Sequence, residues 1–393
     1  MPEEPMRVLH VAQTFGLYDP QGRTGHVAPL AVELVRRGLG VSVVAASYPP
    51  HSPHGSVTVG DGAAAFPVTY LPSGLRYRTL TINAGARTHF ANIIRTTNLV
   101  HIHGLYDLLG PAAAAVSRGL EIPYVVETMG MFRPVAGGAL RKRAFMRLFG
   151  RSMLRGAARF VVTSGREADD LVNGGIDKDR IDVRHNGVEP VAATATAGAG
   201  PGPAFRAAHG IGPETPFVLF LGRISPVKNI ELLLAAFARL AAPDAVLVIA
   251  GPAEGSKYLG KLKEIAGRLG TADRVRIIGP VYGGDKAAAL AEAAMLVLPS
   301  VNENFGTVAV EAMAVGTPAV VTETCGVAEH LRDGGGLVVA LDADDMRTAI
   351  DSLLVNDGPR SDMGDRAKVI ASTLTWEDAA RLTTVMYERI LGR

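Results

Sequence analysis

The chain has 393 residues, of which 48% are hydrophobic and 20% are charged, and its formal net charge is +2 at pH 7. This length favours two domains, and so weak a charge gives no reason to expect nucleic acid as a partner. The single cysteine, Cys325, excludes an intramolecular disulfide framework and suits a reducing compartment. The first residues lack a signal-peptide pattern and no apolar run is long enough to span a membrane, so we expect a cytoplasmic protein.

Short β-branched runs alternate with Ala- and Leu-rich segments of helical period along the whole chain. In the first half the strand candidates are RVLHVA, VSVVAAS, LVHIHG, PYVVET, RFVVTS and IDVRHNG. In the second half they are FVLFLG, AVLVIAG, VRIIGP, MLVLPS, PAVVT and GLVVA. Such alternation is typical of parallel sheets with helices on both faces, so its occurrence in both halves predicts two doubly wound α/β domains.

The segment 189–204 combines Pro, Gly and other small residues without a hydrophobic period. Its position favours an interdomain linker, and a plain surface loop is the alternative. We therefore predict an N-terminal domain over 1–188 and a C-terminal domain over 205–374. Ligands of such sheets bind beyond the carboxyl ends of the strands, so two facing domains predict a site in the cleft between them.

The stretch GRISPVKN connects a predicted strand to a predicted helix and carries two cations. Arg223 leaves the strand, and Lys228 stands near the helix start. That helix is capped by Asn229, or by Ser225 with Pro226 at its first position. A cation there opposes the helix dipole, whereas an anion would be held by helix, lysine and arginine together. We interpret the stretch as a diphosphate site, with two solvated loop charges as the alternative.

The stretch NENFGTVAVE follows the predicted strand AMLVLPS and holds two glutamates eight residues apart. We expect Glu303 on the exit loop, Thr307 as the N-cap of the next helix, and Glu311 about one turn inside that helix. Free amides at the helix start offer a second anion site. The two carboxylates would lie on either side of one phosphate and accept hydrogen bonds from hydroxyls. This layout suits a sugar, a phosphate and a second sugar; two solvent-facing glutamates are the alternative.

Together these stretches resemble the retaining glycosyltransferases of family 4. GRISPVKN, followed about 75 residues later by PSVNENFGTVAVEAMAVGTPAVV, is similar to the family pattern with its Glu-x7-Glu motif. The segments AGPAEG, VRIIGPV and CGVAEHLRDGGGLVV also fall where that family has matching ones. The resemblance covers essentially the whole chain and implies the GT-B fold, in which two Rossmann-like domains face across a cleft. It also implies that the last helix, 375–393, crosses back onto the first domain.

The resemblance implies a role for each matching position. Arg223 and Lys228 would bind the donor diphosphate. Glu303 would hold hydroxyls of the donor hexose, and Glu311 those of the ribose. The other implied donor contacts are backbone at Asn304, Phe305 and Gly306 for the hexose, amides of Thr307 and Val308 for the distal phosphate, and Val281 near the base.

The first half departs from the family pattern in two places. Relatives carry a Gly-Gly pair after the first strand, whereas this chain has QGRTG, with Gly22 and Gly25 separated. Gly25 precedes a helix and is the candidate for close approach to the donor. Relatives often have His before a Gly-Met pair, where this chain has Met129. Glu127 or Thr128 would supply that polar contact, or the contact is absent.

The strand LVHIHG places His101 and His103 on one side by alternation. His103 stands at the strand end and is a candidate catalytic residue, with a structural histidine as the alternative. No Asp-x-Asp or metal-ligand spacing is found, so we expect a metal-independent reaction without a cofactor. A nucleotide diphosphate sugar would be the co-substrate. The family resemblance implies that no protein nucleophile is needed, because the leaving phosphate assists the acceptor hydroxyl.

The segment ALRKRAFMRLFGRSMLRGAARF has seven basic residues and no acidic one. Five of the basic residues fall at steps of four and predict one helical stripe: Arg143, Arg147, Arg151, Arg155 and Arg159. One interpretation is a solvated helix face. The other is attachment to an anionic membrane, worth about 1 kcal/mol per basic residue near the surface. The second would place the protein at the inner face of a membrane, with a lipid-linked or membrane-proximal acceptor.

We therefore predict a retaining hexosyltransferase in glycan, glycolipid or glycoside biosynthesis. It would move a hexose from a nucleotide diphosphate donor, with UDP as the expected nucleotide, to a hydroxyl of a sugar, glycolipid or small molecule. One alternative is a nucleotide-sugar epimerase of related fold. Another is a catalytically silent membrane-binding relative, which Met129 would permit. A nicotinamide dehydrogenase is disfavoured because no G-x-G-x-x-G follows the first strand.

Overall fold

The computed structural model describes residues 4–15, 25–47, 55–60, 62–77, 80–133, 139–188 and 201–393. The chain divides into two compact units, one formed by Met1–Gly187 with Trp376–Arg393 and the other by Val188–Thr375. Gly22 and most of the predicted linker lie outside the described residues. The last residues of that segment begin the helix Pro201–Ala208, so the predicted linker was too long. Phe205 explains the helix, because its ring is buried in the core of the second unit.

The first unit is built on an eight-stranded sheet with a separate small hairpin. Its strands are β1 (Arg7–Ala12), β2 (Gly40–Ala46), β3 (Gly55–Val59), β4 (Phe66–Leu71), β5 (Leu75–Tyr77), β6 (Leu80–Ile82), β7 (Leu99–His103), β8 (Tyr124–Glu127), β9 (Arg159–Val162) and β10 (Ile181–Val183). The large sheet has the order β10-β9-β8-β7-β1-β2-β4-β3, and β5 pairs with β6. All pairs in the large sheet are parallel except β3 with β4.

Helices cover both faces of this sheet. They are α1 (Val27–Arg36), α2 (Ala86–Ile94), α3 (Leu109–Gly119), α4 (Ala139–Phe145), α5 (Arg151–Gly156) and α6 (Gly165–Asn173), with α15 (Trp376–Leu391) from the end of the chain. α1 and α15 pack on one face and α2, α3 and α5 on the other. The central strands β1, β7 and β8 are buried on both faces, as expected for a parallel sheet covered by helices.

The second unit is a six-stranded parallel sheet with the order β13-β12-β11-β14-β15-β16. Its strands are β11 (Phe217–Leu221), β12 (Val246–Ala250), β13 (Val275–Gly279), β14 (Met295–Leu298), β15 (Ala319–Thr322) and β16 (Gly336–Val339). Its helices are α7 (Pro201–Ala208), α8 (Ile230–Phe237), α9 (Ser256–Arg268), α10 (Gly283–Glu292), α11 (Thr307–Ala314), α12 (Ala328–Leu331), α13 (Ala343–Val355) and α14 (Asp357–Ala371). Because the strands are parallel, the loops that follow them meet at one edge.

The predicted basic helix is interrupted. A π-helical segment, Met146–Gly150, joins α4 to α5, and α5 ends at Gly156. Arg159 therefore lies in β9, where its guanidinium pairs with Asp182, and its assignment to the stripe was wrong. The extended backbone of Ala157 ends the helix before the stripe can reach Arg159. Among the described helices, none is long and apolar enough to cross a membrane.

Candidate functional site

The loops after β11 and β12 are joined through their backbones. The amide of Ile224 donates to Pro252 at 2.8 Å, and the amide of Glu254 donates to Ile224 at 2.9 Å. Gly251 has φ 142°, and a Cβ there would lie 1.9 Å from the carbonyl oxygen of Gly222. Only glycine fits so close an approach. The loop after β12 therefore holds in place the loop that carries Arg223 and Lys228.

Both predicted helix starts after β11 are present. Ser225 precedes a 3-10 turn, Pro226–Lys228, and Asn229, in the left-handed conformation, precedes α8. Lys228 emerges between the two and forms an ion pair with Glu303 in which both side chains are mostly buried. The half-buried guanidinium of Arg223 makes no hydrogen bond or ion pair with any residue in the described part of the chain. Arg223 is therefore available to an anion.

The loop that carries Glu303 is held by its own backbone. The amide of Glu303 donates to Thr324 at 3.2 Å, and its carbonyl accepts from Gly326 at 3.0 Å. The amide of Val301 donates to Val227, which ties this loop to the one after β11. The Glu303 carboxylate is thus placed beside Lys228 by two fixed loops.

The start of α11 differs from the prediction in its cap. Gly306 is the N-cap and has φ 97°, so Thr307 is the first helical residue. A Cβ at Gly306 would lie 3.1 Å from Val327, and left-handed backbone favours glycine. The first bond of the helix runs from Ala309 to Gly306 at 2.8 Å. The amides of Thr307 and Val308 lie ahead of it, where helix starts attract anions.

The remaining predicted contacts have mixed outcomes. The Phe305 ring is buried, and its carbonyl accepts from Val327 at 2.6 Å, so this carbonyl is already engaged. Asn304 is half-buried in the same loop. Val281 follows β13 at the same edge and is half-buried against the core.

Glu311 has a partner that was not predicted from the sequence. The Lys286 ammonium, in the first turn of α10, lies 2.7 Å from the Glu311 carboxylate. The signal was available, because a lysine in the first turn of a helix opposes the dipole, as Lys228 was predicted to do. Two Lys–Glu pairs thus stand near α11, one before its first turn and one inside it. Each glutamate thus pairs with a lysine of its own.

His103 lies in the first unit within a buried polar network. Its Nε2 is 2.9 Å from His10 Nδ1, and its Nδ1 is 3.1 Å from a Glu127 carboxylate oxygen. His101 Nε2 is 3.3 Å from the same oxygen, and its Nδ1 is 2.6 Å from the hydroxyl of Tyr387. His103 is 2% exposed, so its side chain is enclosed by the protein. The alternative of a structural histidine describes its position better.

Charge in this network is balanced by one ion pair. Arg184 Nη2 lies 2.6 Å from Glu127, and both side chains are buried. Burial raises the pKa of Glu127, but Arg184, His26 and the bonds from the two strand histidines hold it well below its ordinary value. Burial also lowers the pKa of His101 to about 4 and of His103 to about 3. The histidines are therefore neutral and the carboxylate is ionised.

The network also brings together possible metal ligands. His10, His101 and His103 converge, but their rings stack nearly parallel, with interplanar angles of 14° to 29°, and so do not aim at one ion. His26, tilted by 58° from His103, lies within ligand distance of His103 and Glu127. Of the described residues in this network, that set fits an ion best, although Arg184 shares the carboxylate. No metal-ligand spacing is visible in the sequence because these residues are distant from one another in the chain.

The turn after β8 explains the two positions next to Met129. Met129 has φ 53°, an unusual value for a non-glycine residue. Glu167 fixes the turn by accepting from the Thr128 hydroxyl at 2.6 Å and from the Gly130 amide. The side chains of Glu127 and Thr128 are buried and bonded within the protein, Glu127 to Arg184 and Thr128 to Glu167, and a ligand contact from either stays a prediction. Gly25 lies exposed in the turn before α1.

Comparison with known proteins adds the family. Residues 22–187 match the family described as Glycosyl transferase 4-like domain, and residues 203–369 match Glycosyl transferases group 1. The D-inositol 3-phosphate glycosyltransferase of Mycolicibacterium gilvum (strain PYR-GCK) is 31% identical over 395 residues, which is 96% of this chain and 86% of the relative. The chain belongs to the family 4-like glycosyltransferases. The predicted resemblance to this family is confirmed.

Two further comparisons show how much of the chain and of each relative is covered by the similarity. The D-inositol 3-phosphate glycosyltransferase of Mycobacterium marinum (strain ATCC BAA-535 / M) is 35% identical over 243 residues, and this match spans 60% of the chain and about half, 51%, of the relative's length. The solved structure of Anabaena Alr3699/HepE in complex with UDP and glucose has a TM-score of 0.78 at 18% identity, over 98% of this glycosyltransferase and 100% of that chain. The GT-B fold class is thereby confirmed.

Proposed function

We propose that this glycosyltransferase transfers a hexose from a UDP-linked donor to an acceptor hydroxyl with retention of the anomeric configuration and without a metal ion. The observation that carries the proposal is the pair of Lys–Glu contacts near α11, together with Arg223, which shares a loop with Lys228 and has no side-chain partner among the described residues. The diphosphate of a nucleotide sugar needs cations, and the hydroxyls of its two sugars need hydrogen-bond acceptors. The lysines and Arg223 supply the first, and the two glutamates supply the second. The solved relative named above, bound to UDP and glucose, supports this choice of donor.

The cations of the second unit have the charge that a departing diphosphate needs. Arg223 and Lys228, with the amides of Thr307 and Val308, would stabilise the negative charge that develops as the glycosidic bond breaks. Lys228 would exchange its Glu303 partner for phosphate. The released carboxylate would then accept hydrogen bonds from hexose hydroxyls. The leaving phosphate oxygen would assist the acceptor hydroxyl on the same face of the sugar, which gives retention without a protein nucleophile.

Glu311 would hold the ribose hydroxyls, with Lys286 fixing its carboxylate. Val281 would lie near the base, and Asn304 and the backbone around Gly306 near the hexose. Gly25 would allow the first unit to approach the donor closely. We assign His103 a positioning role instead of direct contact with substrate, because it is buried under other polar groups. A sugar, a glycolipid or a small molecule would be the acceptor, and the relatives named for D-inositol 3-phosphate support a phosphorylated polyol among those to be tried first.

A donor screen tests the proposal. UDP and UDP-hexoses should raise the melting temperature by mass action, and more than other nucleotides do. With the best donor, excess EDTA and a panel of acceptors, NMR of the product should show the donor's anomeric configuration. An inverted product, or loss of activity in EDTA, would contradict this mechanism. Conversion of the donor to an isomer without acceptor would indicate an epimerase, and neither binding nor turnover would indicate a silent relative.

We also propose a cytoplasmic enzyme that associates peripherally with the inner face of an anionic membrane. Four arginines support this, because all are exposed on one continuous helical segment: Arg143, Arg147, Arg151 and Arg155. Cell fractionation is the direct test. The protein should be found with membranes at low salt and be released at high salt, since salt screens such attraction. A protein that stays soluble at both salt concentrations would contradict the location.

A further inference from the structure

A basic groove lies where α3 meets the π-helical segment and α5. It encloses about 590 Å³, and its lining includes Arg118, Arg147, Leu148, Arg151, Ser152 and Arg155. The groove is distant in sequence from every residue placed in the donor site. We call it the arginine groove.

The positive charges of the groove are not neutralised by the protein. Within the described part of the chain, the guanidinium groups of Arg147, Arg151 and Arg155 form no ion pair or hydrogen bond. Other arginines on the surface do have acidic partners; examples are Arg36 with Glu33, Arg347 with Asp351, and Arg381 with Asp378. No acidic residue occurs from 128 to 166. Clustered charge of one sign repels itself, and a bound anion relieves that repulsion.

One wall of the groove is held in place before any ligand arrives. Arg118 donates to the Tyr124 hydroxyl at 3.1 Å and to the carbonyl and hydroxyl oxygens of Ser152 at 3.2 and 3.0 Å. A Cβ on Gly156 would lie 2.5 Å from that tyrosine oxygen and 2.8 Å from the Arg118 side chain. Glycine at 156 therefore keeps the wall closely packed. A fixed arginine beside exposed ones that have no partner among the described residues suits a phosphate.

Large apolar side chains of the same helical segment are exposed to solvent, and one of them, Leu148, lines the groove. Leu140 is 80% exposed, Leu148 71% and Phe149 43%. Phe145, between them in the chain, is buried, and its ring packs edge-on against Tyr106, which itself packs against the core. Exposed arginines mixed with exposed leucine and phenylalanine are typical of helices that lie in a membrane interface. A free phosphate or a soluble phosphorylated ligand would explain the arginines but not these three side chains.

We propose that the arginine groove binds the phosphate of an anionic lipid headgroup, while Leu140, Leu148 and Phe149 enter the boundary with the acyl chains. The bilayer surface is thus the partner of this face. The inference rests on the proposed peripheral location and adds to it a headgroup site and the side chains that enter the bilayer. It does not depend on the identity of the donor or the acceptor.

Vesicle sedimentation tests the groove. The wild type should bind vesicles of phosphatidylcholine with phosphatidylglycerol, and bind pure phosphatidylcholine far less. A triple variant, Arg147→Glu with Arg151→Glu and Arg155→Glu, should lose about a hundredfold or more in affinity. The matched control changes three exposed cations of α9, Lys257→Glu with Lys263→Glu and Arg268→Glu, by the same charge. It should bind nearly as well as the wild type. Equal losses of vesicle affinity in both triple variants would contradict a headgroup site in the arginine groove.

A further variant separates the contact with phosphate from the apolar contact with the bilayer. Leu148→Ser with Phe149→Ser should weaken vesicle binding at least tenfold and leave phosphate binding, measured with soluble glycerol phosphate, unchanged. Vesicle binding that survives this double change would mean that a phosphate alone is recognised. Melting temperature and the shift caused by UDP should be the same in every variant. Wild-type protein that responds to UDP and ignores anionic vesicles defeats this inference and the proposed membrane location, but not the proposed donor; the reverse result defeats the proposed donor.

Discussion

The Lys286 ammonium lies 2.7 Å from the Glu311 carboxylate and so joins α10 to α11. The second Lys–Glu pair, Lys228 with Glu303, lies before the first turn of α11. In both pairs the lysine lies close to a helix start, Lys228 just before α8 and Lys286 in the first turn of α10, where the dipole disfavours it. The glutamate compensates for that placement. Both carboxylates are thereby oriented before any ligand binds.

Loss of Lys286 should weaken nucleotide binding and leave the chemical step alone. In Lys286→Met the Glu311 carboxylate loses its orienting partner, and since the pair is partly exposed we expect a loss of about 1 kcal/mol or less. The UDP dissociation constant should rise about two- to fivefold by calorimetry, with kcat unchanged. Lys286→Arg should restore most of the affinity. A fall in kcat at unchanged UDP affinity would place Lys286 elsewhere in the mechanism.

Loss of the diphosphate cations should act on the rate. Replacement of Arg223 or Lys228 with Ala removes one positioned charge from the developing anion, so turnover should fall about a hundredfold or more. The melting temperature should change little for Arg223→Ala, because that guanidinium has no partner among the described residues. Steady-state kinetics with the best donor provides the measurement. Rates close to wild type in both variants would show that the phosphate binds elsewhere.

The two glutamates should have different kinetic signatures. Glu311→Gln should mainly raise the donor KM, because contacts with ribose are the same in the ground and transition states. Glu303→Gln should lower kcat more than it raises KM, because the hexose gains positive charge as its bond breaks. Calorimetry with UDP, which lacks the hexose, should show weaker binding to the Glu311 variant and nearly normal binding to the Glu303 variant. Equal losses of UDP affinity would mean that the two roles are wrongly assigned.

The strands and the donor-site loops of the second unit were accessible from sequence because each depends on local patterns. β11, the Lys228 loop and the Glu303 loop are contiguous segments with strong turn and helix signals. The N-cap was misjudged because Thr307 is the better capping side chain, whereas the backbone needs the left-handed conformation that Gly306 supplies. The interrupted basic helix was missed because steps of four residues do not distinguish an α-helix from a π-helical segment.

The buried network of the first unit could not be predicted, because it depends on tertiary contacts. His10, His103, Glu127 and Arg184 come from different strands and loops, and Tyr387 comes from the last helix. No local pattern of the sequence links these residues to one another. Only the order of the strands, with β1 beside β7 and β7 beside β8, brings them together.

This network should make stability fall in acid. Burial holds the pKa of His103 at about 3, below the ordinary value near 6.5, so the unfolded chain binds its proton first as the pH falls. The stabilisation is complete above about pH 6.5 and is lost as the pH drops toward 3, by up to about 1.4 kcal/mol per pH unit for each such histidine. His101, with its pKa at about 4, acts in the same direction.

Asp107 opposes the histidines and allows a paired test. Burial raises its pKa to about 6, so its contribution is complete at low pH and is lost as the pH rises through 6. Urea unfolding between pH 4.5 and 6 should show a positive slope of stability against pH in the wild type. His103→Gln should flatten that slope and Asp107→Asn should steepen it. Unchanged slopes would mean that both groups keep ordinary pKa values in the folded protein.

The π-helical segment has a consequence for how the arginine groove is inherited. Its wider turn holds one residue more than the α-helical ladder on either side. Deletion of one residue within Met146–Gly150 would merge α4 and α5 into a single helix, and α4 would keep nearly the same orientation relative to α5 because the wider turn already absorbs the additional residue. The same deletion inside α5 would instead rotate the residues before it by about 100° relative to those after it. The groove thus tolerates the loss of a codon at this one turn and not in the helix that follows it.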